Sequence, residues 1–200
     1  MKAFPQLSTD RLILRRVDTE DIPAMVKYAN NRTIADNTLT LPYPYTVDDA
    51  VNWISFSIQG YRSGERYIFA IELKESHEFI GAIGLHVKQE HNKAEIGFWL
   101  GEPFWNRGIM SEALQAVLDY GFNTLHFNKL FATHFLENTA SGKVLQKAGM
   151  IQEAVLKDEY RIKGKYRSVV QYRLTEAEYQ ALQDKAGNEK MALPADAGRK

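Results

Sequence analysis

A glycine-punctuated segment between residues 95 and 113 contains the residues best suited to bind an anion. It reads as a strand that ends near Leu100, a loop, and a helix that begins just after Gly108. The first N–H groups of a helix have no partner within the helix, and the helix dipole is positive at that end. Gly108 has no Cβ to keep a ligand from the backbone. The segment therefore predicts a phosphate-binding site.

The familiar nucleotide-binding motifs are absent from the sequence. Gly142-Lys143 is followed by valine where a P-loop requires serine or threonine, and Gly164-Lys165 is followed by tyrosine. No G-x-G-x-x-G follows a predicted strand, so dinucleotide binding has no support. The ligand is expected to be a phosphate compound of another kind.

Composition restricts the remaining function classes. The chain has 200 residues, no cysteine, and 25 basic against 25 acidic side chains, so its formal net charge is zero. Such a chain shows no charge pattern for nucleic acid or a membrane surface, and no apolar run reaches the ~18 residues of a membrane span. The lack of cysteine excludes a covalent thiol intermediate. The histidines show no metal-ligand spacing, so no metal site is expected.

The elements around the segment follow one another in a mixed α+β order. Seven runs have the composition of strands, and three in succession between residues 67 and 100 indicate an antiparallel meander. Caps and apolar stripes predict helices at about 18–30, 47–62, 109–122 and 139–148. We expect one cytoplasmic domain over residues 1–182. Residues 183–200 are polar and aperiodic, and we expect a disordered tail there.

Four motifs carry a family resemblance: Ala94-Glu-Ile-Gly-Phe-Trp-Leu-Gly, Phe104-Trp-Asn-Arg-Gly-Ile-Met-Ser-Glu-Ala, Glu137-Asn-Thr-Ala-Ser and Leu145-Gln-Lys-Ala-Gly-Met. In this order they resemble the GNAT acetyltransferase superfamily, and within it the ribosomal-protein N-acetyltransferases of the RimJ/RimL type. The similarity extends from about residue 9 to residue 174. It implies a three-layer fold whose central, mostly antiparallel sheet of six or seven strands has helices on both faces and a splayed strand pair that binds the cofactor.

Acetyl-CoA is the cofactor that the resemblance implies. Its pantetheine would run along the backbone of Phe98, Trp99 and Leu100. Its pyrophosphate would bind the amides of Asn106, Arg107, Gly108, Ile109, Met110 and Ser111. Asn138 would cap the next helix, bind the pantetheine amides, or do both. Trp105 and Met110 depart from the first and last positions of the family's loop pattern, which are Gln or Arg and Gly or Ala.

Acetyl transfer from a thioester to an amine requires a neutral amine, an oxyanion donor and a proton for the leaving thiolate. Glu95 is the predicted base, and a solvent-facing strand residue is the alternative interpretation. The backbone amide of Phe98 or Trp99 is the expected oxyanion donor. Ser141 either hydrogen-bonds the sulfur or only caps its helix. Many family members have a tyrosine acid at the position that Leu145 occupies here, so Ser141 and water remain open as donors.

The acceptor pocket is expected between the early loop, the second helix and the last hairpin. This predicts contacts at Tyr43, Tyr45, Trp53 and Tyr160, with packing as the alternative that we favour for Trp53. We expect a monomer or homodimer that acetylates a primary amine, first of all a protein or peptide N-terminal α-amine and otherwise a small amine. The alternative is a CoA-binding sensor or interaction module without turnover, which Leu145 and Met110 suggest.

Overall fold

A computed structural model describes residues 3–192, with side chains described up to residue 185. The strands are β1 (Leu7–Ser8), β2 (Leu12–Arg16), β3 (Arg66–Leu73), β4 (Phe79–Lys88), β5 (Lys93–Leu100), β6 (Lys129–Phe135), β7 (Ile151–Ile162) and β8 (Lys165–Thr175). The helices are α1 (Ile22–Ala29), α2 (Arg32–Asp36), α3 (Val47–Arg62), α4 (Ile109–Asp119), α5 (Thr139–Lys147) and α6 (Glu176–Ala192).

All eight strands form one sheet in the order β1-β2-β3-β4-β5-β6-β8-β7. Neighbouring strands are antiparallel except β5 and β6, which are parallel. The mixed, mostly antiparallel fold is therefore confirmed. The sheet has one strand more than the six or seven expected, because β1 comprises two residues and is too short to show a period-two pattern.

β5 and β6 are paired only at their first residues. Their ladder runs from Lys93 opposite Lys129 to Glu95 opposite Phe131, whereas β6 stays paired with β8 as far as Phe135. Beyond Glu95 the two parallel strands therefore separate. One edge of the last part of β5 is left without a strand partner, and this gap is the splayed pair that the family resemblance implies.

Helices cover both faces of the sheet. Gly60 of α3 packs against Arg66 of β3, and Gly142 of α5 packs against His134 of β6. The strand registers place Arg66 on the same face as Glu95, and His134 on the opposite face. The first face is thus covered by α1 and α3, and the second by α4 and α5, in the three-layer arrangement expected.

The helix starts differ in their caps. Thr46 and Asp49 form a capping box at the start of α3, as their spacing predicts, and Asn138 caps α5. By contrast, α4 follows Gly108 and has no side-chain cap. The N–H groups of its first turn are consequently free of side-chain competition, which is the condition for binding an anion there.

Two helices differ from the sequence prediction. The short α2 was not predicted, although Asn31 caps it by accepting from the N–H groups of Thr33 and Ile34. α6 was not predicted either, and it continues past Leu182, where we expected the disordered tail to begin, because strong helix formers extend a helix without an apolar stripe. Residues 193–200 of the predicted tail lie outside the described residues. Over residues 3–192, none of the helices has the length and apolarity that crossing a membrane requires.

Candidate active site

A cleft of about 490 Å³ lies where the gap between β5 and β6 meets the first turns of α4 and α5. Every predicted cofactor residue except Arg107 lines it, and so does Ser141. From the prediction, the lining includes Phe98, Trp99, Leu100, Asn106, Gly108, Ile109, Met110, Ser111, Asn138 and Ser141. The unpredicted α2 contributes Thr33 and Ile34 to the opposite wall.

The open edge of β5 presents backbone groups to the cleft. Gly101 N–H donates to the carbonyl of Ile80 on β4 over 2.9 Å. Because successive N–H groups of a strand point to opposite edges, those of Leu100 and Phe98 point into the gap. The carbonyl of Leu100 accepts from Trp105 Nε1 at 2.7 Å. The backbone of Phe98 is therefore well placed to bind a ligand.

The loop before α4 is held in an unusual backbone conformation. Asn106 has φ of 59° and Gly108 has φ of 73°, both in the left-handed region. A Cβ on Gly108 would meet Arg11 Nη2 at 3.6 Å, which is ordinary contact. Glycine at this position therefore adopts the left-handed φ without strain and leaves the approach to the α4 amides open. Tight packing is not the reason for a glycine here.

Arg11 braces this loop, and the sequence interpretation missed it. Its Nε donates to Glu112 on α4 at 2.6 Å and its Nη1 donates to the carbonyl of Arg107 at 2.9 Å. Thr9 Oγ1 donates to the same Glu112 carboxylate at 2.5 Å. Arg11 and Glu112 are a hundred positions apart, and no local pattern relates them. Arg107 is itself exposed, 6.0 Å from the ring of Phe104, and does not line the cleft.

The start of α5 forms the other wall of the cleft near the gap. Asn138 Oδ1 accepts from the N–H of Ser141 at 3.2 Å, so the predicted capping role is observed. The Ser141 side chain lines the cleft. Leu145 is fully buried in the core, and its side chain can neither donate nor accept a proton. A proton donor at this helix must therefore be sought at its first turn.

Glu95 is the last residue of β5 that is paired with β6, and it lies on the face covered by α1 and α3. Thr133 Oγ1 on β6 donates to Glu95 Oε1 at 3.3 Å. Burial raises the pKa of Glu95 above its ordinary value, against the opposing effects of the Thr133 hydrogen bond and the charge of Lys88. A carboxylate with a raised pKa is a better base near neutral pH.

Tyr160 of β7 approaches this carboxylate. Burial raises the pKa of the Tyr160 hydroxyl, and the negative charges of Glu95 and Glu159 raise it further, while a hydrogen bond with Thr133 lowers it. The structure thus brings Glu95, Thr133 and Tyr160 together from three strands. Thr133 was not predicted, because nothing in the sequence shows which residue of β6 lies beside Glu95.

The other three predicted acceptor residues lie elsewhere. Tyr45 is only 3% exposed and its backbone N–H donates to Asn30 Oδ1, so its ring belongs to the core, although we expected it to contact the acceptor. Trp53 packs half-buried against the core from α3, as its alternative interpretation predicted. Tyr43 is 47% exposed, and none of the three lines the cleft. Burial of a large aromatic ring stabilises the fold, so an aromatic residue of a loop can belong to the core.

A larger hollow of about 780 Å³ lies away from this cleft, and residues of β2, β3 and α1 contribute to its lining. Most of its charged lining residues are paired: Arg15 contacts both Asp21 and Glu72, and Glu72 contacts His77. These groups already satisfy each other's charges. We therefore place the candidate cofactor site in the smaller cleft, where the N–H groups at the start of α4 are uncapped; Glu95, Thr133 and Tyr160 are not among its lining residues.

Comparison with known proteins agrees with this geometry. Residues 11–151 match the family described as "Acetyltransferase (GNAT) domain". The chain belongs to the GNAT acetyltransferase family. This acetyltransferase is 33% identical over 174 residues to the uncharacterized N-acetyltransferase p20 of Bacillus licheniformis, a match that covers 86% of the chain and 97% of that relative.

Two further comparisons are with acetyltransferases of ribosomal proteins. The chain is 27% identical over 180 residues to the (ribosomal protein uS5)-alanine N-acetyltransferase of Escherichia coli (strain K12), covering 85% of the chain and 90% of that enzyme. The RimL ribosomal L7/L12 alpha-N-protein acetyltransferase in complex with coenzyme A has a TM-score of 0.78 at 21% identity, covering 86% of this chain and 98% of that one. The latter likeness shows the fold. The family match thus confirms a GNAT acetyltransferase, and the relative from Escherichia coli supports the expected RimJ/RimL type.

Proposed function

We propose that this enzyme binds acetyl-CoA in the cleft and transfers the acetyl group directly to a primary amine, in the first place the N-terminal α-amine of a protein or peptide. One observation carries the proposal: the cleft is continuous from the open edge of β5 to the uncapped start of α4. A ligand with a thioester at one end and phosphates at the other matches that path. The name of the uS5 alanine acetyltransferase supports a protein acceptor.

The residues of the cleft fit this cofactor. The amides of Ile109, Met110 and Ser111 suit the pyrophosphate, because no side chain caps them and Gly108 leaves the approach open. The backbone of Phe98 suits the amide groups of pantetheine, because it faces the gap. When bound, acetyl-CoA supplies a thioester carbonyl that a neutral amine can attack.

Glu95 accepts the proton that the attacking amine loses, either directly or through a water molecule. An N-terminal α-amine has a pKa near ~8 and a lysine side chain one near ~10.4, so the α-amine is already partly neutral at physiological pH. Because the pKa of Glu95 is raised, it lies closer to the pKa of the amine whose proton Glu95 accepts. Tyr160, beside Glu95, is placed to contact the acceptor.

The N–H of Phe98 stabilises the negative charge that develops on the carbonyl oxygen. It points into the gap, whereas the N–H of Trp99 points toward β4, so we prefer Phe98 of the two predicted donors. The Ser141 hydroxyl donates a hydrogen bond to the departing sulfur, since it lines the cleft and the Leu145 side chain has no donor. Ser141→Ala tests this role against donation by water.

Release of free thiol from acetyl-CoA, measured over a panel of N-terminal peptides and small amines, tests the proposal. We expect thiol release that depends on the acceptor and is fastest with an N-terminal α-amine. CoA binding without acceptor-dependent release from any member of the panel would favour the sensor without turnover. Faster release with small amines than with peptides would move the acceptor to that class.

A further inference from the structure

The cleft carries side-chain charge of one sign only. Among its lining residues, two have charged side chains, Lys143 and Lys147, and both are cations. The whole chain has equal numbers of acidic and basic side chains. The positive charge of the cleft is therefore a local property, opposite in sign to a phosphate ligand.

The two lysines are neighbours on one face of α5. They are four positions apart, which brings residues of a helix to adjacent turns of the same side. Ala140 and Val144, which also line the cleft, lie on that side as well. Asn138 and Ser141 mark the end of α5 near the gap, so the lysines lie farther along the helix from the reacting end of the site.

Neither lysine is engaged elsewhere in the described part of the chain: no carboxylate lies within ion-pair distance and no hydrogen bond involves either ammonium group. Two other cations near the sheet are paired with carboxylates. Lys129 contacts both carboxylate oxygens of Glu153 at 2.7 and 2.8 Å, and Arg11 is held by Glu112. The charges of Lys143 and Lys147 thus remain available to a ligand in the cleft.

We propose that Lys143 and Lys147 bind the 3′-phosphate on the ribose of coenzyme A, an inference that rests on the proposed function. Coenzyme A has two kinds of phosphate, a pyrophosphate in the chain and a separate phosphate on the ribose at the end far from the thioester. The uncapped α4 amides suit the pyrophosphate. The ribose phosphate is a dianion, and two ammonium groups one helical turn apart match its charge.

The consequence is selectivity for the complete cofactor. A site with both lysines distinguishes coenzyme A from 3′-dephospho-CoA, which is identical except for the ribose phosphate. The gain from each exposed lysine is modest, because solvent and salt screen it. Together the two contacts should favour coenzyme A by roughly tenfold at low salt.

Calorimetric titration with coenzyme A and with 3′-dephospho-CoA tests the proposal without any turnover. The test variant is Lys143→Gln with Lys147→Gln, since glutamine removes the charge and has a similar helix propensity. The control is Lys157→Gln with Lys165→Gln, which removes two exposed lysines of β7 and β8 that do not line the cleft. Thermal unfolding of both variants shows whether they remain folded.

We expect the wild type and the control to prefer coenzyme A, and the test variant to bind both ligands with the Kd that the wild type has for 3′-dephospho-CoA. Equal affinity of the wild type for the two ligands would overturn the inference and leave the proposed function intact. An unchanged preference for coenzyme A in the test variant would also overturn it. The same holds if the test variant loses affinity for both ligands equally while its Tm is unchanged. Failure of the wild type to bind either ligand would contradict the proposed function itself.

Discussion

The two sides of the proposed active site are built from different parts of the protein. The cofactor side consists largely of backbone groups from one continuous segment, residues 98–111, together with the start of α5. The acceptor side consists of the side chains of Glu95, Thr133 and Tyr160, which come from β5, β6 and β7. Binding by backbone groups depends on the conformation of the chain, whereas the function of a side chain depends on its chemical groups. Substitutions should therefore separate cofactor binding from catalysis.

Glu95→Gln should produce the largest change, confined to catalysis. We expect kcat for an N-terminal peptide to fall about 100-fold, within the usual range for general base catalysis, and the Kd for coenzyme A to stay unchanged. In the wild type kcat should rise with pH as Glu95 loses its proton. This rise should occur at a higher pH than for an ordinary glutamate, because the pKa of Glu95 is raised. The variant should lack this limb of the pH–rate profile.

Glu90→Gln is the matched control, because Glu90 is exposed in the turn before β5. It should leave both kcat and the pH–rate profile as they are. The same pH–rate profile for Glu95→Gln and the wild type would remove Glu95 as the base. A change in cofactor affinity would mean that the two sides are not separable at this residue.

Gly108→Ala should weaken the binding of coenzyme A by roughly tenfold, because it disturbs the backbone that presents the α4 amides. Gly164→Ala is the control, since Gly164 has a similar φ of 81° and no atom within contact distance of an added Cβ. Both substitutions should lower the free energy of unfolding by about 1–2 kcal/mol. Calorimetric titration measures the affinity for coenzyme A, and thermal unfolding measures the stability. An equal loss of affinity in Gly108→Ala and Gly164→Ala would show that the Gly108 effect is not local.

Thr133→Val should shift the acidic limb of the pH–rate profile to higher pH by less than one unit. The Thr133 hydroxyl stabilises the Glu95 carboxylate, so its removal raises the pKa of Glu95 further and postpones formation of the base. Thr133→Ser keeps the hydroxyl and should retain the wild-type limb. A shift toward lower pH would show that the hydroxyl does not stabilise the charged form.

Arg11→Gln should cause the smallest effect, a loss of about two- to threefold in affinity for coenzyme A. The Arg11 side chain is 49% exposed, and exposed ion pairs contribute little. Glu112→Gln should have a similar effect, and the double variant should add nothing to the single ones, because one brace is lost in each case. Additive losses in calorimetric titration would mean that Arg11 and Glu112 act independently.

The sequence interpretation succeeded where the responsible residues are close together in the chain. The start of α3 follows from Thr46 and Asp49, three positions apart, and the start of α4 follows from a strand, a loop and a helix in succession. It failed at α2 and at Tyr45. A five-residue helix shows little periodicity, and whether a loop tyrosine is buried depends on what packs above it.

The sequence by itself determined most of the elements and their order, the family resemblance and a candidate phosphate site, because caps, glycines and apolar periods act within a few residues. Only the tertiary structure decided that Thr133 and Tyr160 meet Glu95, that Arg11 braces the phosphate loop, and that two lysines supply the side-chain charge of the cleft. These contacts depend on strand register and on how helices cross the sheet. Both are fixed by the packing of the whole core, and neither leaves a local pattern in the sequence.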